Sequence, residues 1–195
     1  MALMESTGMA VETGLRDLAG KIDGEARAIA RVERLSGGAT QEIWRFDLLG
    51  RLGDCLGRYI LRRAPGGTRI TQGVGLEVEA RLMAAAASMG VPVAEVAHVL
   101  TAEDGLGHGF VMRFVEGETL GGRIVKADHL RAARRTLAGE CGKTLAKIHR
   151  IPASDFPTLT RATPAELVEG QRLAYRATSI RRPVFDVVLR WLTEH

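Results

Sequence analysis

Leu35-Ser36-Gly37-Gly38-Ala39-Thr40 is the stretch on which the fold of this chain turns. Ile29, Val32 and Leu35 lead into it, and Gln41-Glu42-Ile43-Trp44-Arg45-Phe46-Asp47-Leu48 leads out with an alternating pattern. Two β-strands joined by a small glycine-bearing turn follow from that pattern. With no Cβ at two positions, such a turn serves equally as a plain hairpin or as a place where backbone N–H groups approach a phosphate. A period of two puts Trp44, Phe46 and Leu48 on one face of the second strand and Ile43, Arg45 and Asp47 on the other.

Working outward, the glycine-rich segment 49–57 turns the chain into a third strand, Arg58-Tyr59-Ile60-Leu61-Arg62-Arg63, which Pro65-Gly66-Gly67 ends. A helix is expected over 74–89, with Val78, Leu82, Ala85 or Ala86, and Met89 as its apolar stripe and Gly90 and Pro92 as its stop. Two further strands follow, 93–100 and 108–115, joined by the polar turn 101–107. Upstream, residues 1–10 read as a tail and 11–22 as a short helix with Val11, Leu15, Leu18 and Ile22 on one face. Downstream the character becomes helical. Leu130, Leu137, Cys141, Leu145 and Ile148 keep one face apolar, and Thr163-Pro164-Ala165-Glu166 has the form of a capped helix start. A last helix begins at Pro183. The organisation is therefore α+β, with 1–28 a tail and short helix, 29–117 a sheet-bearing domain and 118–195 a helical one.

Bulk properties narrow the function classes. A net charge of +4 over 195 residues, with arginines scattered or paired and no interleaved aromatics, argues against nucleic acid and fits a small phosphate-bearing ligand as well. Cys55 and Cys141 have no metal-ligand spacing and read as free thiols of a cytoplasmic protein. Met1 to Gly14 has no apolar core of a signal peptide, and the apolar region 82–100 is broken by Gly90, Pro92 and Glu95, so no membrane span is expected.

Five segments, in order, resemble the aminoglycoside phosphotransferase and choline kinase-like enzymes: 35–40; Tyr59-Ile60-Leu61-Arg62-Arg63-Ala64-Pro65; Glu79-Ala80-Arg81-Leu82-Met83 followed by Gly90-Val91-Pro92-Val93; Phe110-Val111-Met112-Arg113-Phe114-Val115-Glu116-Gly117; and Leu145-Ala146-Lys147-Ile148-His149. The resemblance implies a protein kinase-like fold with a five-stranded antiparallel N-lobe, one crossing helix and the first helices of a C-lobe. It implies ATP and Mg²⁺ as cofactors and a small-molecule hydroxyl as phosphoryl acceptor. Ser36, Gly37, Gly38, Ala39 and Thr40 would close over the ATP phosphates. Arg62 would grip them in place of the usual strand lysine, as a planar fork instead of a point charge. Glu79 would pair with Arg62, with Glu77 as a competitor, and Arg63 would face solvent. Met112, Phe114 and Val115 would form the hinge that reads the adenine edge.

The plainer readings are a hairpin for 36–40, a solvated strand arginine for Arg62 and core residues for Met112 and Phe114. His149 ends a helix, where the C-terminal dipole accounts for an imidazole without chemistry. After His149 the sequence has no His-Gly-Asp run and no Asp-x-Asp segment, the family's base and metal ligands. The expectation is a truncated C-lobe, no turnover by the 195-residue chain, and apolar helix faces over 127–150 and 164–194 through which it could self-associate. A non-catalytic nucleotide-sensing or protein-interaction module is the alternative.

Overall fold

The computed structural model describes residues 2–35, 41–64 and 74–194, with side chains from Gly8 onward in the first of these. Three strands follow a first helix: α1 (Ala2–Ile22), β1 (Ala28–Leu35), β2 (Glu42–Leu49) and β3 (Cys55–Ala64). Helix α2 (Leu76–Ser88) precedes β4 (Val96–Val99) and β5 (His108–Arg113). Then come α3 (Gly121–Lys126), α4 (Arg131–Ile148), α5 (Pro164–Ala177) and α6 (Pro183–Glu194). The five strands form one antiparallel sheet in the order β1-β2-β3-β5-β4, so among the described residues α2 is the single helical crossing between the meander and the last hairpin. This is the α+β arrangement expected from the strand and helix order.

The pleat of the sheet divides its side chains between two helices. On one face Trp44, Phe46, Leu48, Tyr59, Leu61 and Val111 pack beneath Val11, Leu15, Leu18 and Ala19 of α1. The expected alternation in β2 and the expected stripe on α1 are both present. The helix starts earlier than expected, so the segment read as a tail is helical from Ala2. Burying each of Val11, Leu15 and Leu18 contributes roughly 1.5–3 kcal/mol, enough to hold a helix that would be marginal alone. Gly14 lets α1 approach closely, since a Cβ there would lie 2.5 Å from Leu106.

On the other face Ala64 and Phe110 pack against Leu76 and Ala80 of α2, with Met83, Val96 and Met112 around them. The stripe on α2 is thus rotated from the expected one in its first turns, while Ala86 is buried as expected. Leu76, Ala80 and Met83, at spacings of four and three, face the sheet, because alanine lets the helix axis come closer than Val78 and Leu82 would. In β1 a bulge between Ala30 and Glu33 puts Arg31 at φ 53, where its guanidinium lies 3.5 Å from the buried Asp47.

Two compact units are separated after Pro152, so α3 and α4 group with the sheet and the change of character at Glu116–Gly117 falls inside the first unit. Helix α4 begins only at Arg131, after a 3₁₀ turn at Asp128–Leu130, and its Leu137, Leu145 and Ile148 are 41–51% exposed. In the second unit the expected cap of α5 is formed. Thr163 Oγ1 accepts from the Glu166 N–H, and the Glu166 carboxylate accepts from the Thr163 N–H at 2.6 Å. The Thr163 N–H and the Thr163 hydroxyl, both donating to that carboxylate, hold the Glu166 carboxyl below its ordinary value. Tyr175 meets Phe185 edge-on at 5.5 Å, while Val184, Val187 and Trp191 of α6 remain exposed. Among the described residues no helix is long and apolar enough to cross a membrane.

Candidate functional site

Arg62 leaves β3 on the α2 side of the sheet, in the same pleat as Ile60 and Ala64. Its Nη1 donates to Glu79 Oε1 at 2.5 Å and its Nε donates to Gln41 Oε1 at 2.6 Å. Glu79 reaches it because Leu76 and Ala80 turn inward, which aims Glu79, three residues after Leu76, along the flank of the buried stripe. Both side chains keep about 30% exposure, so the guanidinium is held by two partners yet remains open to a ligand.

Glu77, the competing partner, points elsewhere. It bonds His108 Nδ1 at 2.8 Å. Burial pushes the Glu77 carboxyl up, but its own backbone N–H and His108 outweigh that and leave it below its ordinary value. The two first-turn carboxylates of α2 therefore tie the helix to β3 and to the start of β5 separately, and both favour the helix N-terminus.

Arg63 is not solvent-facing as expected. It is buried on the α1 side, where Nε donates to Glu42 Oε2 at 2.9 Å and Nη1 to the Leu106 carbonyl at 3.1 Å. The physical reason is α1: it roofs the face that a three-stranded meander alone would leave open to water. Glu42 also accepts from Trp44 Nε1 at 3.2 Å and lies 3.4 Å from Arg34. Burial raises the Glu42 carboxyl, but these hydrogen bonds and the charges of Arg63 and Arg34 hold it below its ordinary value. Gly109 sits directly opposite Arg63 in β5, and a Cβ there would come within 2.3 Å of the Arg62 carbonyl, so only glycine admits β5 this close behind the arginine pair.

The hinge-like residues end β5. Met112 faces Ile60 across the ladder and is partly buried around the α2 contact. The Phe114 N–H donates to the Arg58 carbonyl at 2.9 Å, and the Arg113 N–H to the Glu95 carbonyl at 2.8 Å. The Val115 N–H and the Phe114 carbonyl have no backbone partner among the described residues, and Val115 is 67% exposed. Ser36, Gly37, Gly38, Ala39 and Thr40 lie outside the described residues. Of the expected site, then, Arg62 and Glu79 are brought into contact, with Met112 on a strand that pairs with β3.

Gln41 and Glu42 were not singled out from the sequence, and Arg63 was expected to face solvent. Alternation along β2 and β3 carried the signal: with Glu42 opposite Arg63 in register, an unlike pair falls on one face. Among the described residues no group of three His, Cys, Asp or Glu side chains is placed to hold a metal ion.

Comparison with curated proteins and with solved structures finds no match. Comparison with family models does: residues 31–195 match that of the Phosphotransferase enzyme family. The match takes in β2 to β5 whole and every helix but α1, and on it the chain belongs to the phosphotransferase enzyme family.

Proposed function

We propose that the Arg62 face of the sheet binds ATP, in an enzyme that transfers its γ-phosphoryl group to the hydroxyl of a small molecule. The single observation that carries this reading is the Arg62–Glu79 pair, a half-open cation braced from a helix and facing away from the α1-covered core. Arg62 would bind the α- and β-phosphates, with Glu79 and Gln41 fixing the plane of its fork. The segment 36–40, between β1 and β2, would supply N–H donors to the same phosphates. At the adenine edge the Phe114 carbonyl would accept and the Val115 N–H donate, since the Phe114 N–H is already committed to Arg58. Met112 would act as wall, not as reader. Mg²⁺, when bound with ATP, supplies charge neutralisation at the transferring phosphate.

The sequence after His149 lacks the family's base and metal carboxylates, so the 195-residue chain by itself should bind nucleotide without turning it over. The same observation favours a second reading, a nucleotide-sensing module. Calorimetry with ADP on the wild-type chain and on Arg62→Ala tests the binding claim common to both. Loss of a charge-assisted hydrogen bond of about 1.5–3 kcal/mol predicts roughly 10- to 100-fold weaker binding for Arg62→Ala. Equal affinities would remove Arg62 from the site. Mg²⁺-dependent phosphoryl transfer by the purified chain would show that catalytic groups lie among these residues after all.

A further inference from the structure

Arg62 and Arg63 are neighbours in β3, and they are held by the residue just before β2 and the first residue of β2. Gln41 takes Arg62 on the α2 side, and Glu42 takes Arg63 on the α1 side. The two pairs stand back to back through the sheet, with Glu42 directly opposite Arg63 and Ile43 opposite Arg62 in the ladder. The rear pair is the more enclosed, at 10% and 11% side-chain exposure. It also reaches further, because Arg34 of β1 lies 3.4 Å from Glu42 and Arg63 donates to the carbonyl of Leu106. Leu106 is buried against Gly14 of α1. One carboxylate thereby joins β1, β2 and β3, and Arg63 extends the tie to the turn before β5.

We infer that Glu42, Arg63 and Arg34 are positioning residues for Arg62: from the covered face they lock β3 against β2, so that Arg62 meets Glu79 and a nucleotide's phosphates in one fixed place. The inference rests on the reading of Arg62 as a phosphate-binding residue. Backbone ladder bonds alone leave the end of a strand pair free to fray. A buried, multiply bonded carboxylate one pleat away removes that freedom.

The test is the double variant Glu42→Leu/Arg63→Met in the full chain, since replacing both members of a buried pair with apolar residues of similar size is commonly neutral for folding. ADP and adenosine affinities are compared with wild type. Misplacing Arg62 should weaken ADP on the order of tenfold and leave adenosine unchanged, because only the phosphate contact is affected. Adding Arg62→Ala to the double variant should then cost little more. Unchanged ADP affinity at unchanged melting temperature overturns the inference, and so does an equal loss for both ligands, which marks general loosening. If the double variant does not fold, Arg63→Lys takes its place. It keeps the charge but has no fork to reach Glu42 and Leu106 together, and the same ADP-selective loss is required of it. Failure of the underlying reading looks different: wild type binds no ADP, or Arg62→Ala changes nothing. Amide exchange at Ile43 and Arg62 without ligand then decides the inference. Faster exchange in the variant supports the lock, and identical exchange overturns it.

Discussion

The two faces of the sheet put the same residue type to opposite uses. Arg62 and Arg63 are adjacent and chemically identical, yet one is an open cation shared between Glu79 and Gln41 and the other is buried against Glu42 and a carbonyl. What separates them is cover. Helix α1 lies over the face that holds Trp44, Phe46 and Tyr59, and α2 covers only part of the other. An arginine under cover must have every partner supplied, and among the described residues no buried side-chain polar atom lacks one. An arginine at the edge of cover can keep part of its hydrogen-bonding capacity for something else. In this fold a difference of one pleat separates structure from candidate function.

The sharpest way to break the comparison is to truncate each arginine in turn and measure stability by urea unfolding. Arg63→Ala leaves the buried Glu42 with only Trp44 Nε1 and the more exposed Arg34 as partners, and should cost about 2–3 kcal/mol. Arg62→Ala, with both partners near 30% exposure, should cost no more than about 1 kcal/mol. Equal costs would mean that the two faces are not differently covered in solution.

A smaller effect tests the cover itself. Gly14→Val drives a side chain into Leu106, 2.5 Å from the position of the new Cβ, and should destabilise by about 1–3 kcal/mol. Gly20→Ala on the same helix meets nothing within 4 Å and should stabilise by roughly 0.5–1 kcal/mol through helix propensity. If Gly14→Val cost nothing, α1 would not be seated on the sheet.

The smallest effect concerns the polar edge of the α1 side. Asp104 accepts from Lys21 Nζ at 2.5 Å, contacts His98 Nε2 at 2.9 Å and accepts from the Thr101 N–H at 2.8 Å. Burial pushes its carboxyl up, but the bonds from Lys21, His98 and Thr101 outweigh that and hold it well below the ordinary 3.8. A carboxyl depressed in the folded state binds fewer protons there than when unfolded. Its stabilisation is therefore complete above the ordinary 3.8 and is lost as the pH falls below that towards the folded value. Unfolding free energies at pH 6 and pH 3 should show a drop in wild type that Asp104→Asn reduces. An identical drop in both proteins would detach Asp104 from the acid response.

Much of this architecture was legible because it is local. The alternation of Trp44, Phe46 and Leu48, the periodic Val11, Leu15 and Leu18, and the box at Thr163 and Glu166 each depend on residues a few positions apart. The family, too, followed from short segments in order, and the match over 31–195 agrees. The stripe of α2 differs from expectation in its first turns because hydrophobicity favours Val78 and Leu82, whereas packing against a sheet favours the small Ala80, while Ala86 is buried as expected.

By itself, then, the sequence determined that an antiparallel sheet with one crossing helix would form, and that Arg62 and Glu79 were candidates for one site. Only the tertiary structure decided that Glu79 and not Glu77 reaches Arg62, that Arg63 is buried, and that Gln41 and Glu42 hold the two arginines from opposite faces. The physical reason is that period and propensity act along the chain. The cover over each face of the sheet depends on where a distant helix comes to rest.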